Sequence, residues 1–193
     1  MSFARSRRLT YMTNAIVVCH TSMSLDGFIA GPGDAMDWIF DYPTPETAWA
    51  VMRMTGAMLA GRRTYEVGRR DVGKASGAPY GGAWSGPIFV LTHHPPTDEE
   101  DPTITFLSGD IRDAVAKGLA AARGKNLEVL GANVVRQCIE ARLLDEMIVH
   151  VTPVLIGDGV RLFERSNGEP VRLERLDVDQ STQVTALRFR VLK

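Results

Sequence analysis

Residues 59–66, LAGRRTYE, place two arginines directly behind a glycine. Gly61 ends a short apolar run, and Arg62 and Arg63 open a segment that resembles a helix start. A helix start has free main-chain N–H groups, and guanidinium groups donate bidentate hydrogen bonds, so this combination suits a phosphate. The stretch therefore favours local recognition of a phosphorylated ligand. An ordinary solvated helix start is the alternative that these residues leave open.

Two other apolar runs end in residues that could contact the same ligand. Residues 91–94, LTHH, offer a hydroxyl and two imidazoles, and residues 130–133, LGAN, form a small-residue turn into a helix. Open α/β sheets bind ligands in a crevice at the carboxyl ends of their strands, so we expect the three strand ends to share one crevice. His93 and His94 point to opposite sides of an extended chain and lack a third ligand nearby, so no metal site is expected.

Two glycine-rich segments could cover such a crevice. Residues 22–38, SMSLDGFIAGPGDAMDW, follow the first predicted strand with an aromatic, aliphatic and acidic mix that suits closure over a flat ring. Residues 72–86 contain five glycines and are long for a simple connection. We interpret them as a mobile flap beside a site, with a plain surface loop as the alternative.

The elements that position these residues alternate between β-branched runs and helical patterns, which predicts a sheet with crossover helices. Strands are predicted over residues 15–20, 57–61, 87–92, 103–107 and 127–131. Helices are predicted over residues 45–55, with Thr44 as the N-cap, from Asp110 to a stop at Gly124, and over residues 133–141. The ending is strand-rich, over residues 146–157, 170–179 and 183–192, and the last two strands should form an antiparallel pair.

Length and composition indicate one globular domain. The chain has 193 residues, 45% of them hydrophobic and 23% charged, with a formal net charge of −1. That balance gives no field for nucleic acid or a membrane surface, and the two distant cysteines suit free thiols in a reducing cytoplasm. We expect residues 1–13 to be a flexible extension and residues 14–193 to be a single domain. Motifs for acyl transfer, phosphoryl transfer and zinc hydrolysis are absent from the sequence.

The order of the motifs resembles the dihydrofolate reductase family, and more closely its branch with the reductase domain of riboflavin biosynthesis and stand-alone relatives. The resemblance covers residues 14–193 and is carried by SLDGFIAG, LAGRRTYE, FVLTHHP, LGANVVRQCIEARLLDE and VTPVLIGDGVRLF, in that order. It implies a dihydrofolate reductase-like three-layer α/β/α fold with a mostly parallel central sheet and an antiparallel C-terminal strand pair. It also implies a homodimer.

The resemblance further implies NADPH as cofactor and assigns residues to each part of it. The residues implied at the adenosine 2′-phosphate are Arg62, Arg63, Thr64, Thr92 and His93, and Gly61 and Leu91 are implied as further cofactor-binding residues. Those implied at the pyrophosphate are Gly131, Ala132, Asn133 and Val134, and those implied at the nicotinamide are Ile29 and Ala30.

More than one carboxylate is a candidate for the catalytic role. The family places one on the helix before the GR-T segment, where Glu46 is the nearest match, but residues 37–45 are longer than the family pattern and also offer Asp41. Asp26, in the first-strand loop, is a second candidate. A helix-start acid at Glu46 and an ordinary Asp-Gly turn at Asp26 are the structural alternatives.

The function expected from the resemblance is hydride transfer from NADPH to a C=N or C=O carbon of a planar heterocycle. Dihydrofolate or a related pterin is one substrate class, and a ribosylaminopyrimidine is the other. An NADP(H)-binding protein without reductase activity is the alternative. The expected partners are a small-molecule heterocyclic substrate and a second copy of the chain, with no nucleic acid and no membrane.

Overall fold

Short β-branched runs alternate with helices through the first two thirds of the chain. The computed structural model describes residues 15–164 and 168–193, so the predicted extension, residues 1–13, lies outside the described residues. The strands are β1 Val17–Ser24, β2 Phe28–Ala30, β3 Thr55–Gly61, β4 Ile88–Leu91, β5 Ile104–Leu107, β6 Asn126–Leu130, β7 Glu146–Thr152, β8 Val160–Arg161, β9 Leu173–Asp179 and β10 Thr185–Val191. The helices are α1 Glu46–Met54, α2 Arg62–Arg70, α3 Ile111–Ala121 and α4 Ala132–Glu140. Within these described residues, no helix has the length and apolar content needed to cross a bilayer.

Eight of the strands form one sheet in the order β5-β4-β3-β6-β1-β7-β10-β9. The first six in this order are parallel, and β10 runs antiparallel to both β7 and β9. Parallel neighbours need crossover connections, and helices supply several of them. The predicted three-layer fold, with a mostly parallel sheet and an antiparallel C-terminal pair, is confirmed.

Alternation along β1 separates the two faces of the sheet. Cys19 belongs to the main core beneath α3 and α4, together with Cys138 of α4. Val18 points to the other face, where it packs with Val51 of α1 and Ile148 of β7. Burial raises the pKa of both thiols to about 12. The cysteines are therefore free and protonated, as the sequence suggested.

Two local predictions were wrong. Thr44 does not cap α1, because the cap position is Pro45 and no side chain caps this helix. The strand predicted over residues 146–157 ends before Pro153, which has no N–H to donate to a ladder. Leu155 beyond it is 70% exposed and does not belong to a core strand. In the same region, β8 pairs with β2 in a separate two-stranded sheet that the sequence did not predict.

The glycine-rich segment, residues 72–86, is held against the rest of the fold by side-chain hydrogen bonds. At its start, the Asp71 carboxylate accepts a hydrogen bond from Lys74 at 3.2 Å. Near its end, the Trp84 indole N–H donates to the Thr55 carbonyl at 3.1 Å. The segment therefore has fixed contacts at both ends, and its role as a mobile flap stays a prediction.

Candidate active site

The carboxyl ends of β4, β3 and β6 lie side by side in the sheet. Gly61 is level with Leu91 in one ladder, and Ala60 is level with Leu130 in the other. The three strand ends singled out in the sequence are therefore neighbours, as predicted. Helices α2 and α4 begin directly after two of them.

A glycine precedes each of these helices. Gly61 occupies the cap position of α2 and Gly131 that of α4, and neither helix start is capped by a side chain. Gly131 has a φ of 86°, and a Cβ there would lie 2.6 Å from the Thr64 hydroxyl oxygen. Val134, in the first turn of α4, is buried. The two helix starts therefore approach closely, and the positive ends of both dipoles lie at this edge.

A crevice of about 810 Å³ opens beside the start of α4. Its walls include Arg63 from α2, Ala132 and Asn133 from α4, and Arg161 from β8. Arg63 forms an ion pair with Asp34, with its Nε 2.6 Å from a carboxylate oxygen, and its side chain is 66% exposed. The structure thus brings one residue implied at the 2′-phosphate and two implied at the pyrophosphate to one cavity.

Thr92 and His93, two other residues implied at the adenosine phosphate, lie in the turn after β4, and Arg62 of α2 contacts this turn. Arg62 donates from Nε to Glu66 at 2.6 Å and from Nη1 to the His94 carbonyl at 2.9 Å. Thr92 is buried, and its hydroxyl oxygen accepts the His94 N–H at 3.1 Å. His93 is exposed. Arg62 therefore ties α2 to this turn, whereas Arg63 lines the crevice.

The loop after β1 borders the same crevice through β2. Ala30 is buried and pairs with Val160, which lines the crevice. Ile29 is partly buried and packs against the main core. Of these two residues, which the resemblance places at the nicotinamide, Ala30 adjoins a residue that lines the crevice, and neither lines the crevice itself.

Asp26 connects two loops. Its carboxylate accepts hydrogen bonds from the Ser24 hydroxyl at 2.6 Å and from the Gly157 and Ile156 N–H groups at 2.7 and 3.1 Å. The Ser24 hydrogen bond, followed by these backbone N–H groups, holds the pKa of Asp26 below its usual range. The contacts tie the loop after β1 to the loop after β7, which is a structural task. A catalytic role for Asp26 stays a prediction.

The other carboxylates implied by the resemblance lie at the surface. Glu46, the first residue of α1, has a side chain that is 74% exposed and forms an ion pair with Arg53 at 2.9 Å. Asp41 is also exposed. Neither appears among the residues that line the crevice. The structure therefore does not bring Glu46 together with the implied cofactor residues.

A buried polar cluster, which sequence reasoning missed, lies on the sheet face that carries α1. It consists of His20, Thr47, Thr55, Tyr80, Glu128 and His150. The Glu128 side chain is 2% exposed, and it accepts hydrogen bonds from the hydroxyls of Tyr80 and Thr55, each at 2.8 Å. The His20 Nδ1 lies 2.9 Å from the Tyr80 oxygen and 3.3 Å from Glu128. The buried acid is therefore fully engaged by its neighbours.

His150 continues the cluster towards α1. Its ring meets the His20 ring edge-on, with centroids 4.7 Å apart, and its Nε2 lies 3.1 Å from the Thr47 hydroxyl oxygen. Burial, aided by the nearby His20, lowers the pKa of His150 to about 3. Burial and the adjacent Glu128 raise the pKa of the Tyr80 phenol. At neutral pH both side chains are therefore uncharged.

The comparisons with known proteins agree with this architecture. The family model for the RibD C-terminal domain matches residues 83–187, more than half of the chain. The chain belongs to the RibD C-terminal domain family. Among curated proteins, this family member is 28% identical over 162 residues to the uncharacterized protein YwjB of Bacillus subtilis, covering 81% of this chain and 88% of that protein.

Solved structures share the RibD C-terminal domain fold. A protein of Shewanella sp. PV-4, whose name links it to riboflavin biosynthesis, superposes with a TM-score of 0.73 at 23% identity, covering 92% of this chain and 99% of that chain. The riboflavin biosynthesis reductase Rib7 of Saccharomyces cerevisiae gives 0.58 at 15% identity, covering 94% and 92%. The Thermotoga maritima deaminase/5-amino-6-(5-phosphoribosylamino)uracil reductase gives 0.63 at 15%, covering 93% and 57%. At these identities the superpositions establish the fold.

Proposed function

We propose that the chain is an NADPH-dependent oxidoreductase that delivers hydride to a C=N or C=O carbon of a planar heterocycle, of the ribosylaminopyrimidine or dihydropterin type. One observation carries the proposal: the crevice beside the start of α4 brings Arg63 together with Ala132 and Asn133, which follow Gly131 at a helix start that no side chain caps. Family membership and relatives named as riboflavin-pathway reductases support it.

The residues at the crevice fit a dinucleotide phosphate. Gly131 has no side chain to keep a pyrophosphate from the backbone, and the N–H groups that follow it at Ala132 and Asn133 are at a helix start. Arg63 and Arg161 add positive charge to the walls. When bound, the reduced nicotinamide supplies the hydride. The protein holds the phosphates, and the loop after β1, with Ile29 and Ala30, shields the ring from water.

Arg63 must exchange Asp34 for phosphate in this scheme. Its side chain is 66% exposed, and exposed ion pairs contribute only about 0–1 kcal/mol. A hydrogen bond to a charged group contributes about 1.5–3 kcal/mol. A phosphate dianion carries more charge and more acceptor oxygens than one carboxylate, so the exchange favours the phosphate, and it also frees the Asp34 carboxylate, which follows β2.

The alternative, an NADP(H)-binding protein without hydride transfer, is favoured by one observation. Glu46, the nearest match to the family's carboxylate, is turned to solvent and paired with Arg53. A reductase then needs another group to manage the proton that accompanies hydride.

Titration and turnover separate the two functions. NADPH should quench the intrinsic tryptophan fluorescence until the quenching saturates. Adding dihydrofolate or a ribosylaminopyrimidine should then cause oxidation of the bound NADPH, which is measured as loss of its absorbance. Saturable binding with no oxidation by either class of heterocycle supports the alternative. Failure of NADPH to saturate the protein at millimolar concentration contradicts both.

A further inference from the structure

One nitrogen of the polar cluster has no partner. The His20 side chain is only 9% exposed. Among the residues that the structure describes, its Nε2 is buried and makes no hydrogen bond. Buried polar atoms are almost always paired, so an unpaired one in a native fold indicates a site for something else. His20 is therefore where the cluster can accept an added partner.

The hydrogen bonds around His20 determine which of its nitrogens carries the proton. The single phenolic proton of Tyr80 is donated to Glu128, so the Tyr80 oxygen can only accept from the His20 Nδ1, 2.9 Å away. Glu128 is a second acceptor for that Nδ1–H at 3.3 Å. With the imidazole proton placed on Nδ1, Nε2 presents a lone pair and requires a hydrogen-bond donor.

The groups that face His20 define the ligand's charge. Glu128 lies on the Nδ1 side, where its oxygens are engaged by Tyr80, Thr55 and His20. His150 meets the ring edge-on and is neutral above pH 3. The carboxylate of Glu46, which could pair with a cationic heterocycle, is on the surface. Towards a ligand the site therefore presents the His20 Nε2, the neutral His150 ring and the Thr47 hydroxyl, and it suits an uncharged ligand.

We propose that His20 is a specificity-determining residue that binds the lactam edge of the heterocyclic substrate, accepting the ring N–H at Nε2, with His150 and Thr47 alongside. The assignment rests on the proposed function, and it narrows the substrate class to neutral rings that carry an N–H next to a carbonyl.

The Tyr80 ring lies against the His20 ring, and we place the route by which the substrate reaches His20 at Tyr80. The two rings stack with centroids 5.7 Å apart and an interplanar angle of 16°. Tyr80 has a φ of 52°, a left-handed conformation that tyrosine disfavours, and Gly81 and Gly82 beside it also have positive φ. The hydroxyl contacts to Glu128 and His20 thus hold the cover against its backbone preference. When Tyr80 moves, Glu128 still fixes the Nδ1–H.

Imidazole nitrogen NMR on the full-length chain with ¹⁵N-labelled histidine tests the assignment. The free protein should show His20 with a proton on Nδ1 and none on Nε2. Uracil, used as the lactam probe, should shift the Nε2 resonance towards the hydrogen-bonded range. The titration is carried out first without NADPH and then with NADPH present. The probe 1,3-dimethyluracil, which lacks ring N–H groups, should leave it in place.

Two variants complete the test. His20→Phe should weaken uracil binding at least tenfold, whereas Lys117→Ala, at an exposed position of α3 outside the cluster, should bind uracil as the wild type does. A proton on Nε2 in the free protein, an unmoved Nε2 at saturating uracil, equal affinity for the dimethyl probe or no uracil binding overturns the assignment. The wild-type spectrum decides even if His20→Phe does not fold. NADPH titration of the same sample tests the proposed function separately, because the imidazole signal needs no cofactor.

Discussion

At the residue scale, neighbours rather than residue types decide what each acid does. Asp26, Glu46 and Glu128 are all carboxylates, yet one joins two loops, one pairs with Arg53 in solvent and one is buried in the polar cluster. Only their partners distinguish them. The carboxylate that the sequence made most prominent, Glu46, is the most exposed of the three.

Asp26 gives a pH-dependent prediction. Its folded pKa lies below the ordinary value of 3.8, so its stabilising contribution is fully present above that value and is lost as pH falls through the folded pKa. Asp26→Asn should therefore lower the Tm at neutral pH, and the difference from wild type should shrink in strong acid. Thermal unfolding across the acid range measures this, with Asp41→Asn as the exposed control. A difference that does not change with pH contradicts the loop-joining role.

At the element scale, the two glycine-capped helix starts position the crevice. Much of this was predictable, because a parallel sheet brings strand ends together, and the strands predicted over residues 57–61, 87–92 and 127–131 overlap β3, β4 and β6. The polar cluster was not predicted, because residues 127–131, LEVLG, which contain Glu128, were assigned wholly to a buried strand. The Glu128 carboxylate accepts hydrogen bonds from Tyr80 and Thr55, which are 48 and 73 residues away in sequence. A charged residue inside an apolar strand was the available signal.

Gly131 tests the geometry of the helix starts. Gly131→Ala meets both a positive φ of 86° and the Thr64 hydroxyl, whereas Gly73→Ala has the same φ with nothing within 4 Å. The strained backbone alone costs about 1–3 kcal/mol. We expect Gly131→Ala to lose more stability than Gly73→Ala in chemical denaturation, and the double variant with Thr64→Ala to recover part of the excess. Equal losses at the two glycines would show that α2 and α4 do not approach as described.

At the scale of the whole molecule, the loops that meet beyond the end of β7 carry apolar side chains that are exposed to solvent. Pro153 stops the strand, and the loop beyond it meets the loop after β1 through the Leu25 N–H and the Val154 carbonyl at 2.9 Å. Leu25 and Leu155 are 65% and 70% exposed. The homodimer implied by the resemblance stays a proposal, and these two leucines are where we place its contact.

Light scattering after size-exclusion chromatography tests that placement. The wild type should elute as a dimer, and Leu155→Glu should shift it towards monomer, because a charge cannot be desolvated in an apolar contact without a partner. Val72→Glu, at a residue that is 78% exposed and lies elsewhere, serves as the control and should leave the dimer intact. A wild-type monomer at all concentrations, or a dimer unaffected by Leu155→Glu, rules this contact out.

The central claim is that the crevice beside α4 recognises the 2′-phosphate of NADPH through Arg63. The most direct measurement compares the affinities of Arg63→Ala and wild type for NADPH and NADH by calorimetry, with Arg69→Ala as a control on the same helix that is paired with Asp98. Removing a hydrogen bond to a charged group should weaken NADPH binding about ten- to a hundredfold and leave NADH nearly unchanged. Equal weakening of both cofactors, or no change in either, would contradict the account.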